Sequence, residues 1–226
     1  MAVEYGTPGE WAKIKGTAFS LWPLFLCFSC MGAFLSAALL GRCVAIFAGL
    51  LAASLVLTAI LWRKGLRRVR SFFKGACGEE MVAAILRTLP REYYVFHDFL
   101  ARGTPVDHVV VGAAGVFSIE TKNWGGKVTD EEGHLLVDGR LPSRSPTVQS
   151  AREAAGVKGA LKRAGWDGVV TPVVCFASNT CVKPVSSVSG VMVVNANALT
   201  EWMMSLPAAM QDKEVARLVQ LMETNT

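Results

Sequence analysis

Two long runs without a charged side chain stand near the start of the chain, and they limit its possible folds more than any other feature. The first run covers residues 16–41 and the second covers residues 43–62, with Arg42 alone between them. A helix needs about 20 consecutive, mostly apolar residues to cross the hydrocarbon core of a bilayer. The sequence therefore predicts two transmembrane helices, at residues 18–40 and 43–62, which the short polar break joins as an antiparallel hairpin.

Basic residues concentrate on one side of this hairpin and predict its orientation. They precede the first helix and follow the second: Lys13, Lys15, Arg63, Lys64, Arg67, Arg68, Arg70 and Lys74. Because cytoplasmic flanks carry the excess of Lys and Arg, we expect an integral protein of the inner, cytoplasmic membrane with both termini in the cytoplasm. Residues 1–17 are then a cytoplasmic segment, residues 63–74 a basic linker and residues 75–226 a cytoplasmic domain. The basic cluster could bind nucleic acid, but beside a bilayer anionic lipid is the simpler partner.

Small residues recur at every fourth position in both predicted helices. The stripes are Ser29, Ala33 and Ala37 in the first helix, and Ala45, Gly49 and Ala53 in the second. Small residues at this spacing let the backbones of membrane helices approach closely. They predict either packing of the hairpin on itself or a homodimer in the membrane.

The positive charge of the chain belongs mainly to the membrane flank. Residues 1–74 carry nine Lys and Arg against two Glu, whereas residues 75–226 carry fourteen against sixteen acidic residues. The pI of about 9.0 is therefore no sign that the soluble part binds nucleic acid, for which a basic patch would have to be local. The six cysteines are scattered, which favours a reducing compartment over a disulfide framework.

Hydrophobic periodicity in residues 75–226 predicts one α/β domain. Helical spacing of apolar residues begins after Gly75 and stops before Pro90. Runs of β-branched and aromatic residues predict strands at residues 93–99, 107–111, 116–121 and 169–177. Further helices are predicted at residues 147–164, 198–206 and 208–222. Gly112 and Gly115 bound a short flexible connection, so the second and third strands are expected to form a hairpin.

This hairpin carries charged residues with catalytic potential. Glu120 and Lys122 are two residues apart on one predicted strand, so their side chains share a face of the sheet. Asp107 begins the partner strand and can project toward the same edge. Two carboxylates from neighbouring strands make a hard oxygen site for Mg²⁺ or Mn²⁺. An adjacent lysine can orient a water molecule and offset charge in a transition state.

Each of these residues also has an ordinary structural explanation. Glu120 and Lys122 could form a surface ion pair, which contributes little to stability, and Asp107 could simply begin a strand. His97 and His108 do not form a metal-binding spacing and are expected to be packed or exposed strand residues. Four cations could line a phosphate-binding rim or be scattered surface charges: Lys127, Arg140, Arg144 and Arg152.

Three blocks of the sequence resemble one known family. They are Gly78-Glu79 in the first predicted helix of the soluble part, Asp107-His-Val-Val-Val-Gly112, and Gly115-Val-Phe-Ser-Ile-Glu-Thr-Lys-Asn-Trp-Gly125. Their order and the length of the third block resemble the NERD (nuclease-related) domain over about residues 73–180. The resemblance implies a restriction-endonuclease-like αβββαβ core, preceded here by the two-helix hairpin, with a PD-(D/E)xK site.

The resemblance also implies roles for five side chains. Asp107, Glu120 and Glu79 would be metal ligands for Mg²⁺ or Mn²⁺, Lys122 would lie beside the attacking water, and Gln149 would lie close to the site. For Glu79 the alternative is a residue at a helix start, where acidic side chains are favoured. The usual Asn-Pro before the glutamine is Ser-Pro here, and a frequent Trp in the preceding segment is absent; both departures concern loops and substrate contacts.

These expectations combine into one function and two alternatives. The chain is expected to be a membrane-anchored, divalent-metal-dependent nuclease acting on DNA, or on RNA. The first alternative is a catalytically inactive module, tethered to the membrane, that binds nucleic acid or a protein, because a fold does not guarantee an activity. The second is a membrane scaffolding or signalling protein, in which the anchor matters and the acidic site does not.

Overall fold

The computed structural model describes residues 1–39, 41 and 44–223. The predicted break between the two apolar helices, at Leu40, Arg42 and Cys43, lies outside the described residues. The chain divides into two compact units, one formed by Trp11–Lys74 and the other by Met1–Glu10 together with Gly75–Thr226. The first ten residues therefore belong with the C-terminal unit.

Two helices make up the N-terminal helical unit. Helix α1 covers Glu10–Leu39 and helix α2 covers Val44–Leu86. Helix α1 is long and apolar enough to cross a membrane, with a mean hydropathy of 1.8, whereas the apolar stretch Ala45–Leu61 of α2 is shorter. A Cβ atom added to Gly16 would lie 3.4 Å from Phe72 Cβ, so the beginning of α1 lies against the later part of α2.

Helix α2 continues through the predicted basic linker. The sequence predicts a linker at residues 63–74 and a new helix after Gly75, but α2 is unbroken from Val44 to Leu86. Arg, Lys, Ala, Glu and Leu are frequent in this stretch and are good helix formers, while each glycine costs only about 1 kcal/mol. Glu79 therefore lies many turns inside a helix, and the helix-start explanation for this residue is wrong.

Seven strands form the central sheet of the second unit, in the order β1-β2-β3-β4-β7-β9-β8. They are β1 Val3–Tyr5, β2 Tyr94–Ala101, β3 Thr104–Gly112, β4 Gly115–Lys122, β7 Val170–Phe176, β8 Val185–Val188 and β9 Val191–Asn195. Strands β5 Val128–Glu131 and β6 His134–Val137 form a separate two-stranded sheet. Besides the end of α2, the helices of this unit are α3 Pro146–Arg163, α4 Ala196–Ser205 and α5 Asp212–Glu223.

The order of these elements confirms the predicted α/β class. The end of α2 is followed by β2, β3 and β4, then by α3 and β7. Strands β2, β3 and β4 pair as antiparallel neighbours, and β4 pairs with β7 in parallel. Strands β1, β8 and β9 were not predicted, because they have only three, four and five residues and show too little periodicity to be recognised.

Both faces of the sheet are covered, and β4 distributes its side chains between them. Val116 packs with residues of α3 and α5 on one face. Phe117 and Ile119 pack with the end of α2 and with α4 on the other. Because side chains alternate along a strand, Glu120 and Lys122 share the face of Val116, beneath α3, as their spacing predicts.

Strand β1 attaches the start of the chain to the sheet. It pairs in parallel with β2. Its Glu4 accepts a hydrogen bond from Arg87 Nε at 2.6 Å and lies 3.3 Å from His97 Nε2. The Nδ1 atoms of His97 and His108 are 2.8 Å apart and buried. One polar network therefore connects β1, the residue after α2, β2 and β3.

Both histidines of this network are held in the neutral form. Burial lowers the pKa of His97, and the hydrogen bond with Glu4 offsets this only in part. Burial, together with the neighbouring His97, holds the pKa of His108 well below its usual value. A hydrogen bond between two Nδ1 atoms needs one donor and one acceptor, which two neutral rings supply.

Lowering the pH should destabilise this unit through His97 and His108. An unfolded histidine has a pKa of about 6.5, whereas both folded values are lower. Below that pH the unfolded state binds more protons, so the free energy of unfolding should fall as the pH is lowered from about 6.5. Thermal unfolding of the full chain in detergent, at a series of pH values, measures this dependence.

Replacing both histidines should flatten that part of the pH profile. The double variant His97→Leu/His108→Leu removes the two titrating rings while keeping apolar side chains in the sheet. His134 is exposed, and His134→Ala is the matched control that should leave the profile unchanged. A double variant that kept the wild-type slope would show that other groups cause the pH dependence.

Gly78 allows α2 to lie close to the residue that follows β4. A Cβ atom at position 78 would lie 2.6 Å from Asn123 Cβ, closer than two carbon atoms can approach without a shift. Gly75, about one turn earlier on the same helix, faces open space, with nothing within 4 Å of an added Cβ. The absence of a side chain at Gly78 therefore brings Glu79 and the end of β4 near each other.

Gly78→Ala should destabilise the protein by about 1–3 kcal/mol, the usual cost of overpacking, because either the helix or the loop at Asn123 must move. Gly75→Ala is the matched control. It should leave stability unchanged or raise it by up to about 1 kcal/mol, the preference of a helix for Ala over Gly. Thermal unfolding of the two variants measures the difference, and equal stability would mean that the contact at Asn123 imposes no restriction.

Candidate active site

The candidate site lies where β3 and β4 stop pairing. Their antiparallel ladder ends with His108 opposite Ile119. Asp107 and Glu120 are the next residues on the two strands and stand just past the last pair. Beyond this point β3 stays paired with β2 and β4 stays paired with β7. The two strands therefore part at the position of these two carboxylates.

A chain of hydrogen bonds leads from β4 into helix α3. Lys122 Nζ donates to Glu120 Oε1 on the same strand and to Gln149 Oε1 at a distance of 3.1 Å. Gln149 Nε2 then donates to Glu153 Oε1 at 2.9 Å. Gln149 and Glu153 are four residues apart, which puts them on the same face of α3. The structure thus brings together Glu120, Lys122 and Gln149, three of the residues expected at the site.

Asp107 reaches the same group from β3. One of its oxygens, Oδ2, accepts a hydrogen bond from the backbone N–H of Thr121 at 2.7 Å. Burial raises the pKa of Asp107 well above its usual value, and the charges of Glu120 and then Glu79 raise it further. The influence of Glu79 means that α2 also contributes a carboxylate to this region. Hydrogen bonds join Glu120, Lys122 and Gln149, Asp107 bonds to the backbone beside Glu120, and Glu79 acts on Asp107 through its charge.

Glu153 belongs to the same neighbourhood and was not expected from the sequence. It is 9% exposed, and its Oε2 atom has no hydrogen-bond partner among the described residues. Burial and the charge of Glu120 raise the pKa of Glu153 to about 8. One feature of the sequence could have indicated Glu153. It stands four residues after Gln149, on the face of α3 that carries the apolar residues of the core.

The burial of this group excludes a surface ion pair as its explanation. Glu120 is 4% exposed, and Lys122 is the partner of its carboxylate. A buried ion pair loses its hydration, so it does not by itself favour stability. The neighbouring carboxyl groups of Asp107 and Glu153 have raised pKa values, and such groups are typical of functional sites. Trp124, which follows β4 closely, packs against Phe176, with 5.7 Å between the centres of the two rings.

The chemistry of these side chains suits a divalent cation, although they do not form a ready set of ligands. Asp107, Glu120 and Glu153 offer carboxylate oxygens, which Mg²⁺ and Mn²⁺ prefer. The repulsion that raises the pKa of Asp107 is one that a cation would relieve. Within residues 1–39, 41 and 44–223, no three His, Cys, Asp or Glu side chains are grouped so as to hold a metal ion. Lys122 occupies an oxygen of Glu120, for which a cation would compete.

A cavity of about 780 Å³ opens beside the site, between α3 and the β2–β3 hairpin. Gln149 and Glu153 line it, so it adjoins the hydrogen-bonded chain. Arg144 and Arg152, two of the four cations considered for a phosphate-binding rim, line it as well. Lys127 and Arg140 are not among its lining residues. Arg102 also lines the cavity and was missed, because it stands in a hairpin turn far from the site in sequence.

Comparisons with known proteins identify a family for the part of the chain that contains the site. The sequence model of the NERD (nuclease-related domain) family matches residues 74–177. An uncharacterized protein of Bacillus anthracis is 39% identical over 66 residues, which cover 26% of this chain and 31% of that protein. The chain therefore matches about a third of the length of this curated relative, 31%. No solved structure matches the chain.

The matched region contains the whole candidate site. It begins in α2, before Gly78 and Glu79, and ends just after β7. Between these limits lie the gathered side chains, Asp107, Glu120, Lys122, Gln149 and Glu153. Residues 74–177 of this chain therefore belong to the NERD family of nuclease-related domains, within the restriction-endonuclease-like superfamily.

Proposed function

We propose that this chain is a membrane-anchored nuclease that hydrolyses phosphodiester bonds of DNA, or of RNA, with the help of Mg²⁺ or Mn²⁺. The observation that carries the proposal is the meeting of Asp107, Glu120 and Lys122 where β3 and β4 part. The match of residues 74–177 to the sequence model of a nuclease-related family also supports this proposal.

Each gathered side chain suits one part of such a reaction. Asp107 and Glu120, with Glu79 from α2, would hold the metal ion through carboxylate oxygens. When bound, the ion would lower the pKa of a water molecule and neutralise charge on the phosphate. Lys122 would orient that water and stabilise the negative charge that develops on the phosphate oxygens. Gln149 would keep Lys122 in place through their 3.1 Å hydrogen bond.

The order of the elements supports a restriction-endonuclease-like core for this site. The end of α2, then β2, β3 and β4, then α3 and β7 reproduce the αβββαβ sequence of such a core. Strands β8 and β9 and helices α4 and α5 follow it in the chain and would be additions to it. In this assignment the metal ligands lie where two core strands part. An opening at that place would let the substrate reach the metal ion.

A second candidate function is that of an inactive module that binds nucleic acid or a protein at the membrane. The bond between Lys122 and Glu120 favours it, because that bond occupies an oxygen that a metal ion would need. The nearly balanced charge of residues 75–226 is also compatible with a protein partner. Binding without turnover, and without any dependence on metal, would distinguish this module from the nuclease.

We further propose that the anchor is a hairpin of two membrane-spanning helices with both ends in the cytoplasm. The length and apolarity of α1 support a first crossing. Strand β1 precedes α1 and pairs with β2, which follows α2. Strands of one sheet must lie on the same side of a bilayer, so the chain between them would cross an even number of times. The basic residues around the hairpin support the cytoplasmic side.

A homodimer in the membrane remains part of this proposal. The stripe of Ala45, Gly49 and Ala53 on α2 presents small side chains, which favour close contact between membrane helices. A Cβ atom added to Gly49 would meet nothing within 4 Å. This face of α2 therefore has room for the helix of a second copy.

The full chain in detergent micelles should cut nucleic acid with Mg²⁺ or Mn²⁺ and should not cut it in EDTA. Lys122→Ala and Asp107→Asn should each lower the cleavage rate by about 100-fold or more, the scale found when one group that stabilises transition-state charge is removed. Gel assays with supercoiled DNA, linear duplex, single-stranded DNA and RNA would measure the rate and identify the substrate.

Lys162 and Asp167 provide matched controls for these variants. They form an exposed ion pair in the same unit, with 3.0 Å between Nζ and Oδ2, and such pairs contribute little. Lys162→Ala and Asp167→Asn should therefore leave the rate unchanged. Asp107→Asn keeps the size of the side chain and removes one of several neighbouring carboxylates, so it should fold, as thermal unfolding would verify. Cleavage that survives both site variants would refute the roles assigned to them.

The two ends of the chain should lie on the same side of the membrane. In cells whose membrane is intact, protease added from outside should leave epitope tags at both termini uncut, and permeabilisation should expose both tags to digestion. A tag placed at Gly41, between α1 and α2, should be digested in intact cells. Digestion of one terminal tag alone would contradict the hairpin, because β1 and β2 could not then form one sheet.

A further inference from the structure

Three arginines surround the cavity between α3 and the β2–β3 hairpin. Arg102, Arg144 and Arg152 all line it, and all three are exposed. Within the part of the chain that the structure describes, none of them forms an ion pair. Arg87, by contrast, is paired with Glu4. We call this cavity the arginine groove.

The spacing of residues on α3 gives the groove a charged rim and a polar floor. Val148 and Arg152 are four residues apart on α3 and share one stripe of the helix, and Arg144 stands just before Ser145, the residue that caps the start of α3. Gln149 and Glu153 form the adjacent stripe and line the same groove. Val148 is exposed and the Glu153 side chain is buried, so the second stripe lies deeper. The floor of the groove therefore adjoins the candidate active site, and its rim is cationic.

Arg102 is held over the groove by the backbone around it. It stands in the turn between β2 and β3, with a φ of 54°, and its side chain extends over α3. A Cβ atom added to Gly159 would lie 2.7 Å from a terminal nitrogen of Arg102. The glycine thus leaves the space in which the guanidinium group rests. The position of this cation depends on a residue of α3 as well as on its own turn.

The floor contains a polar atom that lacks a partner. Glu153 Oε2 is buried and has no hydrogen bond within the described residues. Buried polar atoms in proteins are nearly always hydrogen-bonded, so an exception commonly marks the place of a bound molecule. The three arginines and the volume of the cavity are the signs of an anionic occupant. The free oxygen of Glu153 would accept a hydrogen bond from a donor group of the same molecule.

We infer that the arginine groove binds the phosphates of one nucleic-acid strand and leads that strand to the neighbouring active site. This inference rests on the proposed nuclease function, whose substrate it describes more closely. The cavity of about 780 Å³ is within the range of small-ligand pockets, about 300–1,000 Å³. Such a space has room for a short length of one strand.

Binding in this groove does not depend on base sequence. Phosphate contacts position a nucleic acid without reading it, whereas base edges or stacked aromatic rings are needed to distinguish sequences. None of the described residues that line the groove is aromatic. The aliphatic lining residues, such as Val106 and Val148, offer apolar contact to sugars or bases of any sequence.

The salt dependence of binding tests the inference in the full chain, in detergent micelles with EDTA. The probe is a short labelled single-stranded DNA of mixed sequence. For single strands, log K falls with log salt with a slope of about −0.7 for each phosphate neutralised. Arg102→Gln and Arg152→Gln should therefore each reduce the steepness of this slope by about 0.7, and the double variant by about twice as much.

Two further variants separate the groove from general surface charge. Arg163→Gln removes a cation from the same helix, α3, outside the groove, and should leave the slope unchanged. Gly159→Ala alters no charge but displaces the guanidinium group of Arg102, so it should weaken binding at low salt. Alanine is preferred over glycine in a helix, so this variant should fold.

The outcomes distinguish failure of the groove from failure of the nuclease. An unchanged slope for Arg102→Gln and Arg152→Gln, or an equal loss for Arg163→Gln, would overturn the groove even if the chain cuts DNA. An effect of these arginines on binding to vesicles of anionic lipid, with none on DNA, would overturn it as well. Arginine-dependent binding by a chain that never cuts would support the groove and refute the nuclease.

Discussion

The hydrogen bond from the backbone N–H of Thr121 to Asp107 is the interaction on which the site region depends. Where β3 and β4 part, N–H groups of β4 that face β3 lose their ladder partners, and a buried N–H without an acceptor is costly. The Asp107 carboxylate supplies an acceptor at 2.7 Å. The side chain that we assign to the metal therefore also completes the backbone hydrogen bonding of the opened sheet.

The opening between the strands is stabilised from both sides, which allows it to hold unfavourable charges. Strand β3 remains paired with β2, and β4 with β7, so the parting does not loosen the sheet. Helix α3 then covers Glu120 with Gln149 and Glu153. Burial, and then the charge of the neighbouring Glu120, raise the pKa of Glu153 to about 8. Buried carboxyl groups close to one another destabilise the folded protein. Such destabilising groups are typical of functional sites, because activity often requires an arrangement that lowers stability.

The sequence predicted the parts of this site that depend on short-range regularities. Alternation along a strand placed Glu120 and Lys122 on one face, and the family blocks located Asp107 and Glu79. Two contacts between residues that are distant in sequence were not predicted: the pairing of β1 with β2, and the approach of Arg102 to α3. Contacts of this kind leave no local pattern in the sequence. The sequence favours two helices within α2, because apolar residues give way to basic ones after residue 62. Helix propensity hardly changes there, and the helix continues to Leu86.

Overall charge is a poor guide to what the soluble unit binds, and the arrangement of the charges explains why. Its acidic and basic residues nearly cancel, yet acidic groups collect where β3 and β4 part, while three arginines collect on the adjoining rim. Groups of opposite charge within one unit can attract different partners when they face different spaces, because salt at the physiological concentration screens exposed charges beyond about 8 Å. The phosphates of a nucleic-acid strand would thus bind along the cationic rim. Only the phosphate that is cleaved would lie beside the carboxylates, and there a metal ion would offset the repulsion between them.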